Sequence, residues 1–356
     1  MSDTARKSIA GLWVAVAFVV GATGWVAAQQ KEKVAAPMMI QKQGAWVIGG
    51  KVLGDPNSSS LSCDHGYVEY QIPVNPREIN LLMWHSSSAQ VWQTRWDGGE
   101  GYQSIFLRRG YPVYLWDGPR VGRANWSCEE IDYKPRMRDQ GNWAAWRFGP
   151  KFGEWWPGIQ FPTNDKEAWI QATRARYDEF DTVQNIQLQT DAAAQALDKI
   201  GPTVALTNSA GGLRALTAAT KMNTDNMKGI YSYENVGFVF PDTDNPGVRE
   251  GGFGPIIVPL ETFKKLTKFP IVNAWGDHTA DVPNTVNTLE LNRKFVAAVN
   301  KYGGHAELVM LSDLGLHGNT HIAFADMNNV AVADALSKWL KAHGLDKYAQ
   351  KNQERR

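Results

Sequence analysis

The sequence lacks any excess of charge. Its 356 residues carry 37 Lys and Arg against 36 Asp and Glu, so nothing marks a surface that neutralises a phosphate backbone, and nucleic-acid binding is disfavoured. It has only two cysteines, too few for a disulfide-built module or a four-thiolate zinc site. No internal repeat or low-complexity tract is visible, and 43% hydrophobic with 21% charged residues exclude a disordered chain. Tryptophan is what it has in plenty. The fifteen present are roughly three times average usage, and ten of them fall between Trp84 and Trp169.

At the N-terminus, Arg6 and Lys7 precede an apolar run from Ile9 to Val26 that closes on Ala27 and Ala28, the pattern of a secretory signal cut after Ala28. An uncleaved anchor is the competing reading, because the run approaches bilayer length; Gly11, Gly21, Thr23 and Gly24 weaken it. Cleavage removes Asp3, Arg6 and Lys7, leaves a mature chain with no net charge, and implies no stable membrane insertion. Export, periplasmic or extracellular, places Cys63 and Cys128 in an oxidising compartment, where a disulfide staple away from the chemistry is expected and two buried thiols are the alternative.

The expected organisation is a signal (1–28), a linker (29–44), a core (45–124 and 165–345), an inserted cap (125–164) and a polar tail (346–356). Strand-like runs cover Trp46–Lys51, Tyr67–Ile72, Ile79–His85 and Pro112–Asp117, with a helix over Gly101–Arg109. From Asn125 to Gly158 the pattern breaks into Trp, Pro, Arg and Gly without a period, hence the cap. An amphipathic region over Asp165–Ile200 follows. Strands then alternate with helices: Thr203–Asn208, a helix from Ala210, Gly229–Tyr233, a helix near Leu260, Pro270–Trp275, a helix over Thr285–Tyr302, Ala306–Leu311, and a helix over Ala323–His343. Such alternation predicts an α/β fold with a mostly parallel sheet covered on both faces, its ligand site at the carboxyl ends of the strands.

The most informative stretch is Val204-Ala205-Leu206-Thr207-Asn208-Ser209-Ala210-Gly211-Gly212, an apolar strand entering a small-residue turn and a helix. A G-x-S-x-G elbow needs small neighbours because its serine sits on a sharp, strained turn. Gly211 is in place, and Thr207 stands where glycine is usual. Ser209 is the candidate nucleophile, and the Ala210 N–H at the helix N-terminus is a candidate oxyanion donor. A base must come from a later loop. His278, His305, His317, His321 and His343 are available; His305 and His343 are expected to be solvated, while His317 and His321 follow the last strand. Gly318 and Asn319 deny this i,i+4 pair the helix and glutamate of a zincin, so no metal and no cofactor is expected. For the acid, Asp277, Asp281 and Glu234 all follow strand ends, and spacing does not choose among them.

Taken together, these segments resemble a small bacterial branch of α/β-hydrolase esterases whose acid is a glutamate after the strand following the nucleophile. The likeness runs from Tyr67 to Leu340. It is carried by Phe106-Leu-Arg-Arg-Gly-Tyr-Pro-Val-Tyr, the Thr-Asn-Ser-Ala-Gly elbow, Ser232-Tyr-Glu234, Trp275-Gly-Asp-His, and Leu314-Gly-Leu-His-Gly-Asn-Thr-His321 with Asp326 and Asn328-Asn329 behind it. The resemblance implies the α/β-hydrolase fold and a triad of Ser209, Glu234 and His321. It also implies an oxyanion donor at Ser87 beside Ala210, although His85-Ser86-Ser87-Ser88 departs from the family's His-Gly at Ser86.

The expected activity is hydrolysis of a small-molecule carboxylic ester through an acyl-enzyme on Ser209; amide or C–C cleavage uses the same parts. The alternative is a catalytically silent fold that binds a hydrophobic ligand or partner through its Trp-rich cap. Trp92, Tyr102, Trp143, Trp146, Trp155 and Trp156 are the expected substrate contacts, and Trp126, Trp143, Trp146, Trp155 and Trp156 are expected to roof Ser209, with core packing the competing role for all of them. Arg136, Arg138 and Arg147 either meet an anionic group or form a solvated face. An oligomer is compatible with the sequence.

Overall fold

The computed structural model describes residues 36–85, 87–132, 134–177, 180–247 and 251–350; the signal segment, Ser86 and residues 351–356 lie outside them. From the N-terminus, β1 (Ile40–Asp55) and β2 (Ser59–Pro73) form a long antiparallel hairpin. Then come β3 (Asn80–His85), α1 (Gln90–Gln93), α2 (Tyr102–Arg108), β4 (Val113–Asp117), α3 (Asp139–Ala145), α4 (Lys166–Arg174) and α5 (Val183–Ile200). The second half contains β5 (Thr203–Asn208), α6 (Ala210–Lys221), β6 (Met227–Tyr233), the short pair β7 (Val239–Pro241) and β8 (Ile256–Val258), α7 (Leu260–Phe263), β9 (Pro270–Trp275), α8 (Pro283–Lys301), β10 (His305–Met310) and α9 (Asn329–Ala342). No helix among the described residues is long and apolar enough to cross a membrane.

Eight strands make one sheet in the order β1-β2-β4-β3-β5-β6-β9-β10. Only β2 runs against its neighbours, antiparallel to both β1 and β4, and from β4 to β10 in that order the strands are parallel. Every residue of β5 is buried, with Val204 and Leu206 in one core layer and Ala205 in the other, as a strand covered on both faces requires. One layer packs α5, α6 and α8 on the sheet through Ala193, Leu213 and Phe295; the other packs α2, α9 and the aromatic residues around α3 and α4 through Phe106, Leu336, Phe148 and Ala168. Parallel strands bring the loops after β3, β5, β6, β9 and β10 to one end of the sheet, where side chains far apart in sequence can meet.

Several boundaries differ from expectation. The linker expected over 29–44 ends early, because β1 already pairs from Ile40, opposite Pro73. The region Asp165–Ile200 is two helices, not one: Asp165 caps α4 by accepting from Glu167 N–H at 2.9 Å, and Thr182 caps α5 by accepting from Asn185 N–H at 3.1 Å. Ala323–Ala325 is a separate 3₁₀ turn before α9. The expected polar tail is docked at its start, where Glu78 N–H donates to Lys347 O and Ala349 N–H donates to Pro76 O. Cys63 and Cys128 form a disulfide, tying β2 to the segment that opens the cap.

Candidate active site

Ser209 lies between β5 and α6 with φ 54° and ψ −134°, a conformation that residues with a Cβ rarely adopt and that the surrounding structure must enforce. Its N–H donates to Tyr233 O on β6 at 3.1 Å while α6 starts at the next residue, so the chain turns sharply. The turn needs a close approach at Gly212, where a Cβ would stand 2.4 Å from Asn235 Cγ. Thr207 occupies the usual glycine position because its Oγ1 lies 2.7 Å from Ser232 Oγ on the neighbouring strand, a buried hydroxyl pair that satisfies the larger side chain. Ser209 is half-buried and its side chain makes no capping bond to α6. The Ala210 N–H belongs to the first turn, whose amides the helix leaves unpaired.

Two further elements converge here. His321 Nδ1 is 2.8 Å from Glu234 Oε2, and Glu234, at φ 52° directly after β6, is another strained residue. Its other oxygen accepts from Gly276 N–H at 2.8 Å and from Arg147 Nη2. Gly276 must be glycine, since a Cβ would be 2.4 Å from Asn319 O. Burial raises the Glu234 carboxyl, but the Arg147 charge and His321 outweigh it and hold the group below its ordinary value. Asn208, fully buried beside Ser209, donates from Nδ2 to both Tyr233 O and His321 O at 2.9 Å. One amide thus pins the elbow to the elements bearing Glu234 and His321.

The other candidates are placed elsewhere. Asp281 pairs with His278 Nδ1 at 3.0 Å near the surface, and Asp277 Oδ2 accepts from Gly318 N–H at 2.5 Å, steadying the loop before His321. His317 and His305 are exposed, and His343 Nδ1 lies 2.9 Å from Trp339 O. Behind His321, Asp326 accepts from Thr320 N–H, Thr320 Oγ1 and Asn319 Nδ2; burial nevertheless pushes its carboxyl up to about 7. No group of His, Cys, Asp and Glu among the described residues is arranged to hold a metal ion.

Ser87 does not fit its expected role. Its N–H points at His85 Nδ1, 2.9 Å away, and Ser88 N–H reaches the same nitrogen at 3.2 Å. Its Oγ accepts from Tyr177 N–H at 2.9 Å and donates to Tyr177 O at 3.2 Å, which latches this loop to the break between α4 and α5. Burial, reinforced by the neighbouring His321 and by the charges of Arg176 and Arg214, pushes His85 down to about 3. The ring is therefore neutral and its Nδ1 is an acceptor.

Of the aromatic candidates, Trp92, Tyr102 and Trp143 are taken up in the core, while Trp146, Trp155 and Trp156 are half-buried. Trp92 and Tyr102 have no exposed surface. Trp92 stacks on Phe324 at 3.8 Å, and the Tyr102 hydroxyl meets the Tyr233 hydroxyl at 2.8 Å, so both back the Glu234 strand from the core. Trp143 and Trp155 lie 4.0 Å apart with tilted rings and pack with Phe148, Phe161 and Trp169 in the core layer that also covers the sheet. Trp126 is 58% exposed, and Trp156 stacks on His278 at 4.1 Å. Trp146 carries Arg176 over its ring at 4.9 Å, while its carbonyl accepts from His321 N–H at 3.0 Å. Arg136 and Arg138 line a cavity of about 560 Å³ with Arg120 and Arg176, whereas Arg147 is buried on Glu234. Of the two roles open to the cap arginines, Arg147 takes the first, the anionic group being the Glu234 carboxylate; Asn208 is the residue that sequence reasoning missed, an asparagine inside the elbow being a weak signal.

No family model matches this chain. A probable secreted lipase from a fungal species is 24% identical over 331 residues, spanning 77% of this chain and 85% of the lipase. A bacterial esterase of solved structure superimposes with a TM-score of 0.72 at 24% identity, covering 87% of this chain and 98% of the esterase. The strand order, the crossover helices on both faces and this superposition together give the chain the α/β-hydrolase fold.

Proposed function

We propose that the protein is an exported serine hydrolase of carboxylic esters, with Ser209 as nucleophile, His321 as base, Glu234 as acid and the Ala210 N–H as one oxyanion donor. The observation that carries this reading is the 2.8 Å contact between His321 Nδ1 and a buried, ionised Glu234, pinned through Asn208 to the strained Ser209 turn. A carboxylate there fixes the imidazole tautomer with the proton on Nδ1, leaving Nε2 to accept, and stabilises the imidazolium that forms. Ser209 Oγ attacks the ester carbonyl as its proton passes to His321. The developing oxyanion is met by the Ala210 N–H, and the proton is returned to the departing alcohol. Water then adds to the acyl group, His321 again taking and returning the proton, and the acid leaves Ser209 free. Ser87 is outside the proposal, because its amide is engaged by His85. The lipase relative, described as secreted, supports both the ester chemistry and export.

A fluorophosphonate probe followed by intact mass tests this. One adduct on the wild type, lost in Ser209→Ala, is expected. No wild-type adduct leaves a ligand-binding fold without catalysis, and an undiminished adduct on Ser209→Ala refutes the assignment.

A further inference from the structure

Arg147 is a fully buried cation bonded to the proposed acid, and it belongs to the cap, not to the core. Its side chain is 1% exposed, as is that of Glu234. Taking a guanidinium out of water costs several kcal/mol unless its donors are all met, so its surroundings are informative. Nη2 donates to Glu234 Oε1, and Nε donates to Asp277 O at 2.7 Å. Its backbone has φ 60°, a third strained position at this site after Ser209 and Glu234. The residue before it supplies the carbonyl that receives the His321 N–H. Two consecutive cap residues therefore hold two different members of the proposed triad. A second stretch of the cap reinforces them: Gln160 N–H donates to Gly318 O at 2.8 Å, and Met327 N–H donates to Gln160 O at 2.7 Å, on either side of His321.

We propose that Arg147 is a positioning residue: it holds Glu234 ionised and turned toward His321, so that the cap braces the triad instead of opening above it. The inference rests on the serine hydrolase reading. It assigns the cap a role in chemistry that needs no contact between its tryptophans and a substrate.

The charged and titratable groups facing this carboxylate are few. His321 and Asp326 come from the loop after β10, Arg147 from the cap, and Asp277 from the loop after β9; His321 in turn interacts with His85, which Arg176 and Arg214 also approach. Among the described residues, Arg147 alone gives the carboxylate a permanent, desolvated positive partner. Its positive charge disfavours adding a proton to the Glu234–His321 pair. Removing that charge must therefore move the acid limb of the rate profile to higher pH, because the pair is protonated, and inactive, over a wider range.

The test is the pH profile of kcat/KM on a soluble aryl ester for wild type, Arg147→Met and Arg147→Lys. For Arg147→Met the acid limb is expected to rise by about one pH unit, a further tenfold loss at about pH 6 relative to about pH 8, carried by kcat with KM retained. Arg147→Lys keeps the charge and is expected to leave the limb in place while lowering kcat through loss of the bond to Asp277 O. A limb for Arg147→Met superimposable on that of the wild type overturns the proposal. If Arg147→Met does not fold, the double variant Arg147→Met/Glu234→Gln, which removes both charges, decides: folding restored supports a charge partnership, and failure of both variants overturns it. Fluorophosphonate labelling of the wild type separates the two readings. An unlabelled wild type means that the hydrolase reading has failed, whereas a labelled wild type with an unmoved Arg147→Met limb means that only the present one has.

Discussion

Replacing Glu234 by glutamine changes charge with little change of shape, and the structure gives both of its effects. The first is catalytic. Glu234 Oε2 is the acceptor 2.8 Å from His321 Nδ1, and an amide there neither favours the required tautomer nor stabilises imidazolium. Loss of the corresponding carboxylate in a serine triad lowers kcat by about 10⁴, so a fall of about 10³–10⁴, or about 4–5 kcal/mol, is expected. The second is structural. Arg147 stays buried with no counter-charge, a defect of about 3–5 kcal/mol, read as a lower urea midpoint.

The pH dependence of stability provides a signature of the same carboxylate. In the folded protein its pKa lies below the ordinary value of 4.5, so the unfolded chain takes up the proton first. Its contribution to stability is present above 4.5 and is lost as pH falls toward the folded pKa; the Glu234→Gln variant lacks that part of the acid slope. Asp281→Asn is the control. Its carboxylate pairs with His278 at a site where both side chains reach solvent, worth less than about 1 kcal/mol, and kcat is expected to stay within about twofold of wild type. A Glu234→Gln enzyme within tenfold of wild type, or a larger loss from Asp281→Asn, refutes the reasoning and returns the acid to the loop after β9.

Asn208→Ala strips the donor from two buried carbonyls, Tyr233 O and His321 O, and is expected to cost about 3 kcal/mol in a urea melt along with much of kcat; a loss below about 1 kcal/mol would mean that water replaces the amide. The Cys63→Ser/Cys128→Ser variant opens a link spanning 65 residues, worth about 4 kcal/mol of unfolded-state entropy. Its Tm should fall while the rate on a soluble ester at room temperature is kept, and a kcat loss as large as that of Glu234→Gln would place the staple in the chemistry. Because the cap is bonded to the histidine loop at Trp146 and Gln160, hydrolysis of a short-chain ester should rise smoothly through the substrate's solubility limit. A jump in rate at the limit would show that the cap opens at an interface.

Burial decided how much of this was legible. β5 and β9 are read correctly because fully buried parallel strands are continuous apolar runs, and the Ser209 elbow stands out because a sharp turn between a buried strand and a helix needs small residues around it. The edge strand β1 is read too short. One side of it is open to solvent and it contains Gly44, Gly49, Gly50 and Gly54, so no clean alternation marks its ends. The break in Asp165–Ile200 is hidden for another reason. The interval between the helices is held by tertiary bonds from Tyr177 to Ser87, ninety residues away, and no local propensity encodes them. Ser87 shows the same limit. Position alone aims its amide at an oxyanion, and only the fold reveals that the neutral His85 ring takes it instead.

The tryptophan excess finds its reason in what the cap must hold. Among the described residues of 125–164 there is a single seven-residue α-helix, so helical hydrogen bonding contributes little to ordering them. Yet they must keep Arg147, at a strained φ, in an interior where each buried ion costs several kcal/mol. Trp143, Phe148 and Phe161 are almost wholly buried, and each stabilises the cap by roughly 2–3 kcal/mol, with Trp155 and Trp169 packed at ring distances of 4.0 and 5.1 Å from Trp143. The sum is of the size needed to offset the desolvation of the Arg147–Glu234 pair. Phe148 directly follows Arg147, and its ring lies 4.6 Å from Phe161, just beyond the Ile159–Gln160 stretch that bonds to the histidine loop. The aromatic residues thus set the cap's geometry where it touches Glu234 and where it touches the histidine loop. A substrate contact is not required to explain them; a segment with little secondary structure that has to position a buried charge needs large, rigid side chains wherever its chain turns.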